Sequence, residues 1–226
     1  MASRRVHLTV NSLKAILTTA NQQLPWLKEF VPNTVRRQLL LRILGVLNDF
    51  TPPPSRLWLE RHVLPALPPA GFRRILFVGT APYTWHYERI VAKAGGEWVT
   101  ADIRQANRVW GSAKEHLTAR IQDISHYFPR GRFDCVIVNG VFGFGVNTES
   151  DIAKSLDETR RVLRSGGVLL IGWNTDLIAD PMKLAGKYGR SDTRLFPERR
   201  VFEHETHVYD FLVARPEPQT SIHVQS

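Results

Sequence analysis

"RRILFVGTAPYTWHYERIVAKAGGEWVTADI", residues 73–103, carries the outline of a strand, a turn, a helix and a second strand. Ile75 to Val78 form a solid apolar run, as in a strand covered on both faces. Gly79 follows at the point where strand becomes helix. A glycine there lets the backbone turn tightly and approach a ligand, and a helix starting near Tyr83 or Thr84 turns free N–H groups the same way. The second apolar run ends on Asp102, 23 residues beyond Gly79. A carboxylate at that place accepts both hydrogen bonds of a ribose diol, and the spacing suits one βαβ unit. The stretch therefore predicts a nucleotide-type binding turn, although Ala81 and Tyr83 stand where a glycine-rich loop carries more glycines.

Working outward, the pattern repeats. "HLTARIQDI", "FDCVIVNGV", "DIAKSLDETRRVLRSGG" and "VLLIGWN" continue the alternation of apolar runs and amphipathic stretches, which predicts a doubly wound α/β sheet. The end differs. "RRVFEHETHVYDFLVARP" holds two strand-like runs with no room for a helix between them, so a tight hairpin places one antiparallel strand in a mostly parallel sheet. Before this region the chain reads as helical. "SLKAILTTANQQL" and "NTVRRQLLLRILGVLNDF" have apolar residues at helical spacing, and a proline-rich stretch closes on Pro68-Pro69-Ala70-Gly71. The expected organisation is a helical N-terminal segment over 1–70, an α/β domain over 71–216 and a flexible tail over 217–226.

Composition narrows the classes. Of the 226 residues, 43% are hydrophobic and 23% charged, values that allow a packed core. The single cysteine, Cys135, excludes an internal disulfide and a Cys-rich zinc site, and fits a reducing, cytoplasmic setting. The N-terminus lacks the unbroken apolar core of a secretory signal, and no apolar run reaches the roughly 18 residues of a membrane span. The net charge of +9 is spread as pairs such as Arg36–Arg37 and Arg199–Arg200, the pattern of a basic solvated surface. No aromatic–basic single-strand motif or arginine-rich arm accompanies it, so nucleic acid is not the expected partner.

In open parallel sheets, ligands bind beyond the carboxyl ends of the strands, so strand-end residues are the candidates for chemistry. They are Gly79 with Thr80, Ala81 and Tyr83 after the first run, Asp102 after the second and Asp123 after the third. "NGVFGFGVN", opening on Asn139, follows the fourth; Trp173, Asn174 and Asp176 follow the fifth. An ionised Asp123 is acceptor-only and takes a proton from an exocyclic amine. His86, Asn139 and Asp176 are the candidate catalytic groups. "HETH" at 204–207 is not read as a metal site, because strand residues three apart point to opposite faces. Cys135, flanked by β-branched residues, reads as an inert core thiol.

Taken together, residues 72 to about 215 resemble the class I S-adenosylmethionine-dependent methyltransferases. "VLRSGGVLLIGW" resembles the turn that precedes that family's fifth strand, and "FDCVIVNGVF" resembles its fourth. The resemblance implies a seven-stranded sheet with "VYDFLVA" as the reversed last strand. It also implies S-adenosylmethionine as cofactor, Gly79 as first glycine of its loop, Asp102 as ribose ligand and Asp123 as adenine ligand, with Ile103 and Ile124 beside them. The chain departs from the family in Phe77, where an acidic residue is usual, and in Ala81 and Tyr83.

The expected activity is methyl transfer to a small molecule or glycan. A catalytically silent binding protein of the same fold stays open, as does an RNA methyltransferase or nucleic-acid-binding module. Residues 33–50 carry an apolar stripe too wide for a free surface helix, which predicts a lid over the substrate cleft, a homo-oligomer contact or a peripheral membrane contact.

Overall fold

The computed structural model describes residues 52–190 and 196–215. The compact unit that carries the sheet begins at Thr51. The helical readings before it, with the lid, oligomer and membrane contacts expected of 33–50, lie outside the described residues, as does the tail over 217–226.

Among the described residues, eight strands form one sheet. They are β1 (Arg74–Val78), β2 (Glu97–Asp102), β3 (His116–Thr118), β4 (Phe133–Asn139), β5 (Leu163–Asn174), β6 (Tyr188–Arg190), β7 (Arg199–Arg200) and β8 (His207–Ala214). Their order is β3-β2-β1-β4-β5-β8-β6, with β7 also on β8. β1 to β5 pair in parallel, and β8 runs antiparallel to β5, β6 and β7. The order reverses between β1 and β4, which places a switch point beside Gly79. The expected reversed strand is therefore β8. β6 and β7 share its outer edge, pairing Tyr188 with Ala214 and Arg199 with Asp210.

The sheet is packed on both faces. Side-chain alternation sends Leu76, Val138, Ile171 and Leu212 to one core, and Phe77, Ile137, Leu170 and Phe211 to the other. Helix α1 (Pro54–Trp58), the π turn Leu59–Val63 and α2 (Tyr87–Lys93) belong to the second face. Leu59, Val63, Leu64 and Leu67 are fully buried there. The proline-rich stretch read as a boundary thus lies inside the unit that carries the sheet. α3 (Glu149–Val162) covers the first face. Thr148 caps it by accepting from the Asp151 N–H at 3.1 Å, and acidic first-turn and basic last-turn residues complement its dipole.

At the amino ends of the strands, the buried carboxylate of Asp134 ties the sheet together. It accepts from the Arg73 and Arg74 N–H groups at 3.1 and 2.8 Å and from Arg164 Nε at 2.8 Å. Burial alone would raise its pKa, but these bonds outweigh that and hold it below the usual carboxylate range. The "RSGG" turn supplies Arg164 and a bulge that shifts the β4–β5 register between Phe133 and Cys135.

Candidate active site

Gly79 ends β1 with φ +101°, a backbone state open to glycine and costly for other residues. Its N–H donates to the Ala101 carbonyl at 3.0 Å. A β carbon on it would stand 2.2 Å from the Asn139 carbonyl oxygen and 3.0 Å from Val141 Cγ2. Conformation and space therefore both require glycine. The helix behind starts later than expected: Pro82–Thr84 is a 3-10 turn capped by Ala81, and α2 begins at Tyr87. Thr84 Oγ1 both accepts from the Ala81 N–H and donates to the Ala81 carbonyl, which stiffens a loop that lacks the other glycines.

Asp102 closes β2, 7% exposed. One carboxylate oxygen accepts from the Thr80 hydroxyl at 3.3 Å and the other from the Arg104 N–H at 2.8 Å. Each oxygen keeps a second lone pair for a ligand diol. The next residue, Ile103, turns its apolar side chain outward, 63% exposed. Asn107 Nδ2 donates to the Thr80 carbonyl at 3.0 Å, and the Thr80 hydroxyl shares its one hydrogen between Asp102 and the Asn107 carbonyl, 3.2 Å away. Gly79, Thr80 and Asp102 thus stand together at the switch point, with Ile103 exposed beside them.

Asp123 lies in the 3-10 turn Ile121–His126, with one carboxylate oxygen 3.1 Å from Lys154 Nζ on α3. Ile124 is fully buried in the core under that turn. Asp123 keeps a partly exposed carboxylate, whereas Ile124 offers no open surface.

Beyond β4, β5 and the start of β8 opens a cavity of about 520 Å³, lined by Arg56, Tyr83, Asn139, Asn174, His207 and Tyr209 among others. Strand register explains its floor. Asn139 pairs with Gly172, Gly172 with Tyr209, and Asn174 with His207, all on the second face of the sheet. Because Gly172 has no side chain, those of Asn139 and His207 reach across it. A β carbon there would meet Asn139 Oδ1 at 2.2 Å and His207 Nε2 at 2.9 Å. One wall is cationic, with the Arg56 guanidinium 3.9 Å above the Tyr83 ring. Burial, with Arg56 adding to it, pushes the His207 pKa down to about 4.

Of the three candidate catalytic groups, only Asn139 is in the cavity wall. His86, at the N-terminus of α2, is turned to Glu60 with Nε2 3.3 Å from its carboxylate. Asp176 is exposed in the turn after β5 and does not line the cavity. Trp173 points to the other face and donates to Asp210 at 2.7 Å. Arg56, His207 and Tyr209 were not legible as site residues. The usable signal was the alternation in "HETHVYDF", which puts His207 and Tyr209 on one face of a strand. His204 sits in the preceding turn with φ 62°, and among the described residues no cluster suits a metal.

Residues 84–171 match the family model of a methyltransferase domain. The chain is similar to the ubiquinone/menaquinone biosynthesis C-methyltransferase UbiE of Proteus mirabilis (strain HI4320), with 29% identity over 137 residues, covering 56% of this chain and 52% of that protein. The Pasteurella multocida (strain Pm70) protein of the same name is 30% identical over 112 residues, 46% of this chain and 40% of its own. The chain spans about half the length of the curated relatives it matches. Among solved structures it is similar to the N-methyltransferase NodS from Bradyrhizobium japonicum WM9, at TM-score 0.54 and 12% identity, covering 74% of this chain and 99% of that one. The complex of NodS with S-adenosyl-L-homocysteine aligns at TM-score 0.54 and 16% identity, over 80% and 98% of the two chains. Sheet order, the Gly79 turn and the family match agree, and the chain carries a class I S-adenosylmethionine-dependent methyltransferase domain.

Proposed function

We propose that the protein transfers a methyl group from S-adenosylmethionine to a small-molecule or glycan-type acceptor held in the cavity over β4, β5 and β8. The observation that carries this reading is the bond between Thr80 and the buried Asp102 carboxylate, which ties the Gly79 turn to the place where a ribose diol would sit. Asp102 would hold the ribose, Ile103 would cover one side of the adenine, and Asp123 would take its exocyclic amine from beside Lys154. Tyr83 and the turn of residues 79–81 would hold the methionine end, with Asn139 at the border of cofactor and acceptor.

The bound cofactor supplies an activated methyl group on a sulfonium, so the protein's work is alignment, exclusion of water and care of one proton. Tyr83 and Tyr209 give the cavity apolar walls that exclude water, and Arg56 gives it a cation. That combination supports an acceptor with an apolar body and an anionic or strongly polar group. The C-methyltransferase names of the two curated relatives support a small molecule over a macromolecule.

The test is incubation with methyl-labelled S-adenosylmethionine and, separately, a small-molecule extract, a glycan fraction and total RNA. Label entering a small molecule or glycan, with stoichiometric S-adenosylhomocysteine, is expected. Label entering only RNA would replace this reading with a nucleic-acid methyltransferase, and cofactor binding without product would make it a silent binder.

A further inference from the structure

His207 has a fixed tautomer. Asn174 Nδ2 donates to Thr206 Oγ1 at 3.0 Å, so its Oδ1 is the atom facing His207 Nδ1, also at 3.0 Å. An amide oxygen only accepts, so Nδ1 carries the hydrogen and Nε2 is left with a bare lone pair. Nε2 is buried and has no partner in the protein, and the same holds for Asn139 Oδ1. Asn139 itself is only 5% exposed. Both atoms lie within 3 Å of the point where a β carbon on Gly172 would stand, at 2.2 and 2.9 Å. Both acceptors thus flank Gly172 at the cavity wall, and neither has a donor among the described residues. Leaving them unpaired costs free energy that a ligand O–H or N–H would recover.

We infer that His207 is the proton acceptor of the transfer reaction, and that the methyl acceptor carries an O–H or N–H that donates to His207 Nε2 from the cavity. This rests on reading the cavity as the acceptor site. The step balances. The substrate's proton moves to the Nε2 lone pair, and the oxygen or nitrogen electron pair forms the bond to the methyl carbon. The carbon–sulfur bond breaks with its pair left on sulfur. The imidazole gains a positive charge in the same step in which the sulfonium loses one, so the net charge in the cavity does not change. That offsets what would otherwise oppose a proton on a ring lying near Arg56, while Glu205 favours the charged ring. Nδ1–H stays bonded to Asn174 throughout, which holds the ring in place. Desolvation by burial keeps the ring neutral, and so able to take a proton, at physiological pH.

The test needs no knowledge of the natural acceptor. Long-range ¹H–¹⁵N spectra of the protein saturated with S-adenosylhomocysteine should show His207 as the Nδ1–H tautomer with a bare Nε2 at pH 7. Phenol, an O–H donor, should move the Nε2 resonance, and anisole, its methyl ether, should leave it in place. Asn174→Asp should keep the tautomer, since a carboxylate also accepts, and raise the pH at which the ring titrates. Asn174→Leu should release Nδ1–H and allow the other tautomer to appear. An Nε2–H ring in the parent protein overturns the inference, and so does an Nε2 resonance that phenol and anisole shift equally or not at all. Failure to bind S-adenosylhomocysteine would instead sink the methyltransferase reading on which the inference rests.

Discussion

The carbonyl oxygen of Asn139 stands 2.2 Å from where a β carbon on Gly79 would be, so the ends of β1 and β4 meet in van der Waals contact at the switch point. A side chain at 79 would have to displace backbone, and the φ of +101° adds strain of its own. Gly79→Val should abolish cofactor binding and lower the melting temperature, whereas Ala81→Gly should leave both close to the parent values. Calorimetry and thermal unfolding measure the two effects. A Gly79→Val protein that melts and binds like the parent would reduce this turn to an ordinary connection.

Asp102 offers a gentler test. Asp102→Asn keeps one oxygen for the Arg104 N–H, so the fold should survive, while the charge that strengthens bonds to a ribose diol is gone. Loss of affinity on the order of 1.5–3 kcal/mol is expected for S-adenosylhomocysteine. Unchanged affinity would remove Asp102 from the site.

His207 links the cavity to pH. Its folded pKa, about 4, lies below the unfolded reference of 6.5, chiefly because the ring is buried. The unfolded chain takes up a proton as pH falls through 6.5, and the folded chain does so only near 4. The contribution to stability is therefore full above 6.5 and lost between 6.5 and 4, at most about 3 kcal/mol. Denaturant unfolding across that window should show a steeper loss in the parent than in His207→Phe. Parallel curves for the two proteins would mean that the ring is not shielded as described.

Arg199 tests the sheet edge instead of the site. It holds the buried Asp210 with an Nε contact of 2.6 Å and binds Asp180 at 2.9 Å through a second nitrogen. Arg199→Met would leave Asp210 with Trp173 Nε1 as its remaining side-chain donor. The expected cost is about 1.5–3 kcal/mol of unfolding free energy with cofactor affinity preserved. A loss of cofactor affinity as large as the loss of stability would show that this edge is coupled to the site.

The fold was legible because parallel strands buried on both faces leave unbroken apolar runs, and because the terminal hairpin has no room for a crossover. The presence of both β6 and β7 on the outer edge was not, since strands of three and two residues are too short to leave a period. Gly79, Thr80 and Asp102 were legible as candidates because a strand end marks them. His207 and Arg56 could not, because their place depends on which strand lies beside which. The register that sets Asn174 opposite His207 and Gly172 between Asn139 and Tyr209 is a property of pairing across distant segments. Local pattern gives the face a strand residue occupies and leaves its neighbour unspecified.

Titration of the purified protein with S-adenosylhomocysteine in a calorimeter bears most directly on the claim that the Gly79–Asp102 cradle holds this cofactor. Saturable one-to-one binding is expected, abolished by Gly79→Val and weakened tenfold or more by Asp102→Asn. Folded protein that shows no saturable heat, and no rise in melting temperature with excess S-adenosylhomocysteine or S-adenosylmethionine, would contradict the account.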